Sequence, residues 1–535
     1  MTGSANSEAS LVRLTLALGA AGAGGPLFPD EGRLARAVAG LPEPGPGQVA
    51  DTRSAIHAGE DPLGAAFCRL RDAATRRTDG AVYTPGQLVG PMVDWTLDRQ
   101  PARVVDAGAG SGRFLAEILR RHPGIGAIAV DSDPLATLMT RAMLAVLKAP
   151  EARVIQSDYT TVTLPEIGGR TAFIGNPPYV RHHQLGAAAK AWAQKTAGSI
   201  GHRISGLAGL HAYFFLATAV LGRPGDVGCF VTSAEWLDVN YGAIMRSLVL
   251  ENLGGRSLHV IEPKALPFAG AQTTAVITAF EMGSRDDPIR LQHLESLDQL
   301  KDLATAGRPV PRHQLRESSR WGSLLRSPGK APAGFIELGE LCRVHRGAVT
   351  GANAFWVVRH GAGLPASVLY PSVTRARELF AAGTVLAGRE HLRLVVDIPS
   401  GLDELDAGDR VKVSRFIEAA KKAGVDKGYI AAHRRPWWSV GLTAPAPILA
   451  TYMARRPPAF VINAAQARHI NIAHGLYPRQ ELDLHALSRL AEALRTGTVL
   501  GQGRVYAGGL TKFEPREMER LMVPGLGTLR GHEPL

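Results

Sequence analysis

At 535 residues the chain is too long for one average domain, and its 45% hydrophobic and 20% charged residues are those of a globular protein, which excludes a fibrous or disordered class. A formal net charge of +12 favours a polyanionic partner, nucleic acid ahead of a membrane surface. The three cysteines, Cys68, Cys229 and Cys342, lie far apart, which excludes a disulfide framework and a Cys-based zinc site and points to a reducing compartment.

Along the chain, "LVRLTLALGAAGAGGPLF" has the apolar look of a secretory leader, but Glu8 precedes it and Arg13 interrupts it. No other run approaches the ~20 apolar residues of a membrane span, so a cytoplasmic protein with no membrane partner is expected. Residues 1–80 show short helical patterns broken by "LPEPGPG" and read as a small helical lead-in with no identifiable chemistry. From about 101 to 282, the apolar runs "RVVDAG", "AIAVD", "RVIQSD", "AFIGN", "VGCFVTS", "LHVIE" and "TAVITAF" alternate with helix patterns such as "RFLAEILRRH" and "PLATLMTRAMLAVLK". That alternation predicts an α/β fold with a mostly parallel sheet covered by helices, and ligands at the carboxyl ends of its strands. Past 285 it fades, so 81–285 and 286–535 are the expected larger domains.

The strand ends carry the candidate site. "VVDAGAGSGRF" places Asp106 before Gly108, Gly110 and Gly112 in a tight loop ahead of a helix, where absent Cβ atoms let the backbone turn and approach a ligand. A structural turn, a nucleotide site and an S-adenosylmethionine site all fit it, and G-x-G-x-G departs from the dinucleotide fingerprint. Asp131 ends the second strand where a carboxylate accepts both hydroxyls of a ribose, while Asp133 is placed to cap the helix starting at Pro134. Asp158 ends the third, able to accept from an adenine amino group or to sit in an exposed turn. The fourth run ends in "FIGNPPYVRHH". Consecutive prolines remove two donors and fix φ, so the Asn176 side-chain oxygen and the Pro177 carbonyl form a stiff pair of acceptors. An amino group donating to both would aim its lone pair at an electrophilic methyl, and Tyr179 offers a stacking face worth about 1–3 kcal/mol per base. His182 and His183 are adjacent and lack a spaced ligand set, so no metal is expected.

Asn-Pro-Pro-Tyr after "DAGAGSG" and an acid-ending second strand resembles the S-adenosylmethionine-dependent amino-methyltransferases. With "GAVYTPGQLVGPMVDW" ahead of the glycine loop, the order resembles the gamma-class, TaqI-like DNA adenine-N6 methyltransferases. "VHRGAVTGANAFWVV" and "ATYMARRPPAFVINAAQARHINIAHGLYP" resemble parts of that family's target-recognition domain. The resemblance covers roughly 81–480. It implies a Rossmann-like methyltransferase domain with a mostly parallel seven-stranded sheet, followed by a mixed α+β recognition domain. It also implies S-adenosylmethionine as cofactor, with Thr84 and Pro85 at its methionine end, Asp106, Gly108 and Gly110 around its amino-acid part, Asp131 at the ribose and Asp158 at the adenine. Asn176, Pro177, Pro178 and Tyr179 would hold a flipped adenine, with Phe268 in "ALPFAGAQTTAVITAF" as a second aromatic. Two departures stand out: Ala107 where many members have Pro, and "GLHAYFF" with His211 where a Tyr is frequent. The implied substrate is double-stranded DNA, methylated by a monomer of a restriction-modification or related defence system, with any restriction endonuclease encoded separately. Cytosine-N4 methylation and, further off, protein glutamine methylation are the alternatives. In the later domain, "HRRPWW" and "YMARRPP" mix Arg with aromatic residues and are suited either to DNA contacts or to a Trp core with solvated Arg.

Overall fold

All seven apolar runs are strands: β1 (Arg103–Ala107), β2 (Gly126–Asp131), β3 (Arg153–Gln156), β4 (Thr171–Gly175), β5 (Val227–Ser233), β6 (Gly255–Ile261) and β7 (Ala275–Glu281). The computed structural model from which they are taken describes residues 6–71, 84–262, 265, 274–285, 288–300, 302–318, 320–325, 334–499, 503–506 and 510–531. Among the described residues the sheet is larger than expected, with nine strands in the order β3-β2-β1-β4-β5-β7-β6-β8-β9, where β8 is Ile289–Leu294 and β9 is Arg308–Val310. β3, β2, β1, β4 and β5 run parallel, β7 is antiparallel to both β5 and β6, β8 is parallel to β6, and β9 is antiparallel to β8. The registers Ala107↔Val130, Asp131↔Gln156 and Asp106↔Ile174 bring the carboxyl ends of β1 to β4 to one edge.

The chain divides into two compact units, Met1–Ser327 and Pro328–Leu535. The boundary expected near 285 therefore falls inside the sheet, because β8 continues its hydrogen-bond ladder from β6. The helical lead-in likewise belongs to the first unit. It holds α1 (Glu8–Ala17), α2 (Pro29–Ala37), α3 (Pro46–His57) and α4 (Pro62–Leu70). The later helices of this unit that bear on the site are α5 (Gly86–Leu97), α6 (Arg113–Arg121), α7 (Pro134–Val146), α8 (Ala187–Ser199), α9 (Leu210–Leu221) and α10 (Ala243–Leu250).

Strand alternation sorts side chains into two cores. Val104, Ala127, Ala129 and Ile174 pack with α1 and α5 to α7, and Val105, Ile128, Val130 and Phe173 pack with α9 and α10. α7 is buried almost all round, as its apolar composition requires, because α1 and α2 cover the face turned away from the sheet. One charge lies in that layer. Arg141 of α7 and Glu31 of α2 are both fully buried and paired at 2.7 Å, and the guanidinium also donates to the carbonyls of Ala23, Gly25 and Pro26.

The second unit is mixed α+β. A four-stranded antiparallel sheet runs in the order Cys342–Arg346, Ala473–Pro478, Ile448–Thr451, Phe460–Ile462, with the helix Leu484–Gly497 packed on it. In "HRRPWW", Trp437 and Trp438 pack partly buried in a core with Trp356 and Phe416. Arg434 donates to the Val349 and Thr350 carbonyls, so the Trp pair and Arg434 are spent on packing. In "YMARRPP", Arg455 and Arg456 are exposed, with the Arg456 guanidinium 3.4 Å from the Phe380 ring centre.

Candidate functional site

At the carboxyl edge of β1 to β4 the first unit holds a cavity of about 1010 Å³. Glycine builds its floor. Gly108, Gly110 and Gly112 all take positive φ, and a Cβ on Gly112 would come within 2.5 Å of the Met143 side chain. A Cβ on Gly175 would meet the Ala107 carbonyl at 2.5 Å, so only glycine lets the end of β4 lie against the end of β1. This contact brings the Asn-Pro-Pro-Tyr loop beside the glycine loop.

The cavity is lined by Thr84, Gly108, Gly110, Asp131, Asp158, Asn176 and Pro178. Seven of the residues singled out in the sequence thus converge on one space. Asp106, Pro85, Pro177 and Tyr179 do not line it. Asp106 lies fully buried beneath the glycine loop, Pro85 precedes α5, and Pro177 and half-buried Tyr179 belong to the loop whose Asn176 and Pro178 reach the cavity. Phe268 lies outside the described residues.

Hydrogen bonds set the geometry of the loops. Asp131 accepts from the Gly110 amide at 2.8 Å and from the Asp133 amide at 2.9 Å, tying the glycine loop to the end of β2. Asp133 caps α7 as expected, accepting from Leu135 at 2.8 Å, an interaction typically worth about 1 kcal/mol. Asp158 is exposed and accepts from the backbone and side chain of Thr160, so its carboxylate is preoriented at the cavity rim. Asn176 donates its Nδ2 to Thr84 Oγ1 at 3.2 Å, which couples the Asn-Pro-Pro-Tyr loop to the segment that opens α5.

Sequence reasoning passed over several wall residues. Tyr159 and Phe214 line the cavity and stack with ring centres 4.9 Å apart. Tyr159 directly follows Asp158, and Phe214 lies in "GLHAYFF", so both stood beside residues already under scrutiny. The helix containing His211 is anchored where the sequence departure raised a question, since the Leu210 amide donates to the Val180 carbonyl at 3.0 Å. Burial pushes His211 down to about 4, so it packs as a neutral ring. Glu8, Ala9, Val12, Leu34, Ala37, Val38, Phe67 and Arg71, from the lead-in, also line the cavity.

Electrostatics make the acids at the strand ends pH-sensitive. Burial, then the neighbouring Asp131, pushes Asp106 up to about 8, and neither of its oxygens has a well-formed hydrogen bond. Burial pushes Asp131 up to about 6, partly offset by the Asp133 and Gly110 amides. An acid whose folded pKa exceeds its unfolded value of 3.8 holds its proton more tightly when folded. That stabilisation is complete below the unfolded value and is lost as pH rises through the folded one. The protein without ligand should therefore lose stability between about pH 4 and about pH 8, and Asp106→Asn should flatten the upper part of the fall. Unfolding midpoints measured against pH check this; an unchanged slope in the variant would remove Asp106 as its source.

Among the described residues, no group of three or more His, Cys, Asp or Glu side chains is placed to hold a metal ion, and no helix is long and apolar enough to cross a membrane. His182 and His183 form a short 3-10 turn after Tyr179, their rings edge to face at 5.5 Å.

Comparison with known proteins gives this geometry a context. The family model of the Eco57I restriction-modification methylase matches residues 130–262, and that of the C-terminal domain of the Type II methyltransferase M.Eco57I matches 330–533. Over 453 residues the chain is 51% identical to Type II methyltransferase M.XamI of Xanthomonas campestris pv. amaranthicola, covering 84% of this chain and 86% of that protein. Type II methyltransferase M.AccI of Acinetobacter calcoaceticus is 20% identical over 475 residues, 85% of this chain and 87% of that one. Among solved structures, the Type IIL restriction-modification enzyme MmeI in complex with DNA matches with a TM-score of 0.53 at 13% identity, over 85% of this chain and 69% of that one, a likeness of fold.

Proposed function

Because this chain belongs to the Type II methyltransferases of restriction-modification systems, we propose that it methylates the N6 amino group of an adenine flipped out of duplex DNA. The family's methyl donor is S-adenosylmethionine, whose sulfonium supplies an electrophilic methyl group. The residues fit it: a cavity of about 1010 Å³ walled by apolar side chains, acids at its rim, and a buried Asp106 whose oxygens a nearby cationic group would relieve. In this reading Asp131 receives the ribose hydroxyls, Asp158 the adenine amino group, and Asp106, Gly108 and Gly110 surround the amino-acid part, with Thr84 and Pro85 beside it.

One observation carries the assignment: Asn176 stands on the cavity wall with its amide held by Thr84 Oγ1 at 3.2 Å. With one Nδ2 hydrogen so engaged, the amide is kept from rotating, and its Oδ1 serves as an acceptor for the target amino group. The Pro177 carbonyl, on a backbone fixed by two prolines, supplies the second acceptor. Two accepted hydrogens leave the nitrogen lone pair as the group directed at the methyl. The cofactor would supply the methyl and leave as S-adenosylhomocysteine, and the amino nitrogen would carry positive charge until one of its hydrogens is lost to solvent. The two fixed dipoles stabilise that charge more than they stabilise the neutral ground state. Tyr179 stacks the base once it has left the duplex, a role the sequence resemblance also gives to Phe268, since the amino nitrogen is out of reach inside it. The second unit reads the target sequence, with exposed Arg455 and Arg456 among its candidates for DNA contact. A separately encoded endonuclease would cleave unmethylated copies.

The test is nucleoside analysis of duplex DNA incubated with the protein and S-adenosylmethionine. N6-methyladenine is expected; N4-methylcytosine in its place would transfer the same pocket to the other amino base, and methylated glutamine in a protein substrate would remove DNA from the reading.

A further inference from the structure

Three of the N-terminal helices, α1, α2 and α4, reach the cofactor cavity at points too specific for a passive covering. Two of their side chains grip the two loops that build it. Asp61, which caps α4 by accepting from the Gly64 amide at 2.8 Å, accepts from Ser111 Oγ of the glycine loop at 2.6 Å. Arg71, just past α4, donates from Nη1 to Asp133 of the β2–α7 loop at 2.6 Å and from Nε to Glu8 of α1 at 2.7 Å. The Asp133 amide in turn donates to Asp131. Thus the guanidinium is joined through one residue to the carboxylate at the end of β2. Between these ties, Val12, Leu34, Val38 and Phe67 give the cavity an apolar lining that it shares with Pro134, Leu135 and Ala136. The segment is fixed in place by the buried Arg141–Glu31 pair and by the Val154 amide of β3, which donates to the Gly24 carbonyl at 2.9 Å.

We propose that residues 6–71 are a cofactor-binding element: their apolar face closes the adenosine side of the S-adenosylmethionine cavity, and Asp61 and Arg71 are positioning residues that hold the glycine loop and the β2–α7 loop at the spacing the cofactor needs. The side of the cavity follows from topology. The wall lies over α7 and next to the ends of β2 and β3, where ribose and adenine are received, and away from the Asn-Pro-Pro-Tyr loop, where methyl transfer occurs. Purine and ribose carbons bury well against aliphatic side chains, which accounts for an apolar wall beside acidic strand ends. This inference rests on the cofactor assignment and not on which base is methylated.

Equilibrium binding of S-adenosylhomocysteine to the full chain tests it, with unfolding midpoints recorded in parallel. Arg71→Met should weaken binding roughly tenfold and raise KM for S-adenosylmethionine in proportion, with kcat falling less than about twofold. Arg71→Lys, which keeps the charge, should recover roughly half of the lost binding free energy on a logarithmic scale. Ala37→Trp, at an exposed point of the cavity wall, should weaken binding roughly fivefold or more without lowering the unfolding midpoint. Unchanged affinity in both Arg71→Met and Ala37→Trp would overturn the proposal, as would a loss of kcat without a change in KM. Wild-type protein that binds no S-adenosylhomocysteine would overturn the cofactor assignment itself, an outcome separable from failure in the variants alone.

Discussion

Asn176→Ala should lower kcat for methyl transfer about a thousandfold while the affinity for S-adenosylhomocysteine changes less than about threefold. The argument turns on where the lost group acts. Asn176 is joined to Thr84 at the cavity wall, yet the cavity is also formed by the glycine loop, the strand-end acids and the N-terminal wall, none of which depends on that amide. In the proposed mechanism, removing the side chain takes away one of two fixed acceptors for the amino hydrogens, so the lone pair is no longer aimed and the charge developing on nitrogen loses a preorganised dipole. Both losses are felt in the transition state and hardly in the cofactor complex. Stopped-flow or single-turnover methylation, with calorimetric binding of S-adenosylhomocysteine, separates the two. Thr84→Val should act in the same direction but less strongly, because it removes one hold on the amide without deleting it.

The second large effect is on stability. Arg141→Met should destabilise the first unit by about 3–5 kcal/mol, the range for breaking a buried ion pair by removing one partner. Glu31 would be left charged at zero exposure, and the Ala23, Gly25 and Pro26 carbonyls would each lose a donor. Glu31→Gln should cost less, about 1–3 kcal/mol, because the amide oxygen can still accept from Arg141. The Phe28 amide, now bonded to the other carboxylate oxygen at 2.7 Å, bears the larger share of that loss. Denaturant titration measures both; equal costs would mean that the charge of Glu31 accounts for the whole effect and that the carbonyl contacts of Arg141 add nothing. Since the pair anchors α2 over α7, Arg141→Met should also loosen the cavity wall and weaken cofactor binding.

Much of the first unit was legible because its strands are short apolar runs closed by a polar stop. Asp131 and Asp158 mark the ends of β2 and β3 in the sequence itself, and a parallel sheet places such stops on one edge. Asn-Pro-Pro-Tyr was legible for a different reason, since two prolines leave few backbone states for the loop to adopt. β8 and β9 were missed because "IRLQHL" and "RPV" carry too few apolar residues to stand out; their place comes from pairing at the sheet's edge. The full burial of Asp106 was not legible from its strand-end position; it comes from the strand alternation and the glycine loop above it.

The work of the N-terminal segment was hidden in contacts across long sequence separations. Asp61 meets Ser111 across 50 residues and Arg71 meets Asp133 across 62, with no local pattern to announce either. One hint was present. "PLATLMTRAMLAVLK" is apolar on every side, and a helix of that kind needs cover on the face turned away from its sheet. Arg141 in its middle needed a buried acid, and Glu31 lay in the segment that had been assigned no chemistry.

The central claim is that Asn176 and its loop direct a methyl group to adenine N6 within one short DNA sequence. Expressing the wild-type chain and Asn176→Ala in a host free of DNA methylation, then mapping modified bases across the genome at single-base resolution, tests it most directly. The account predicts N6-methyladenine at one position of a single recurring sequence in the wild-type host and at none in the variant. N4-methylcytosine alone, or N6-methyladenine undiminished in the variant, would contradict it.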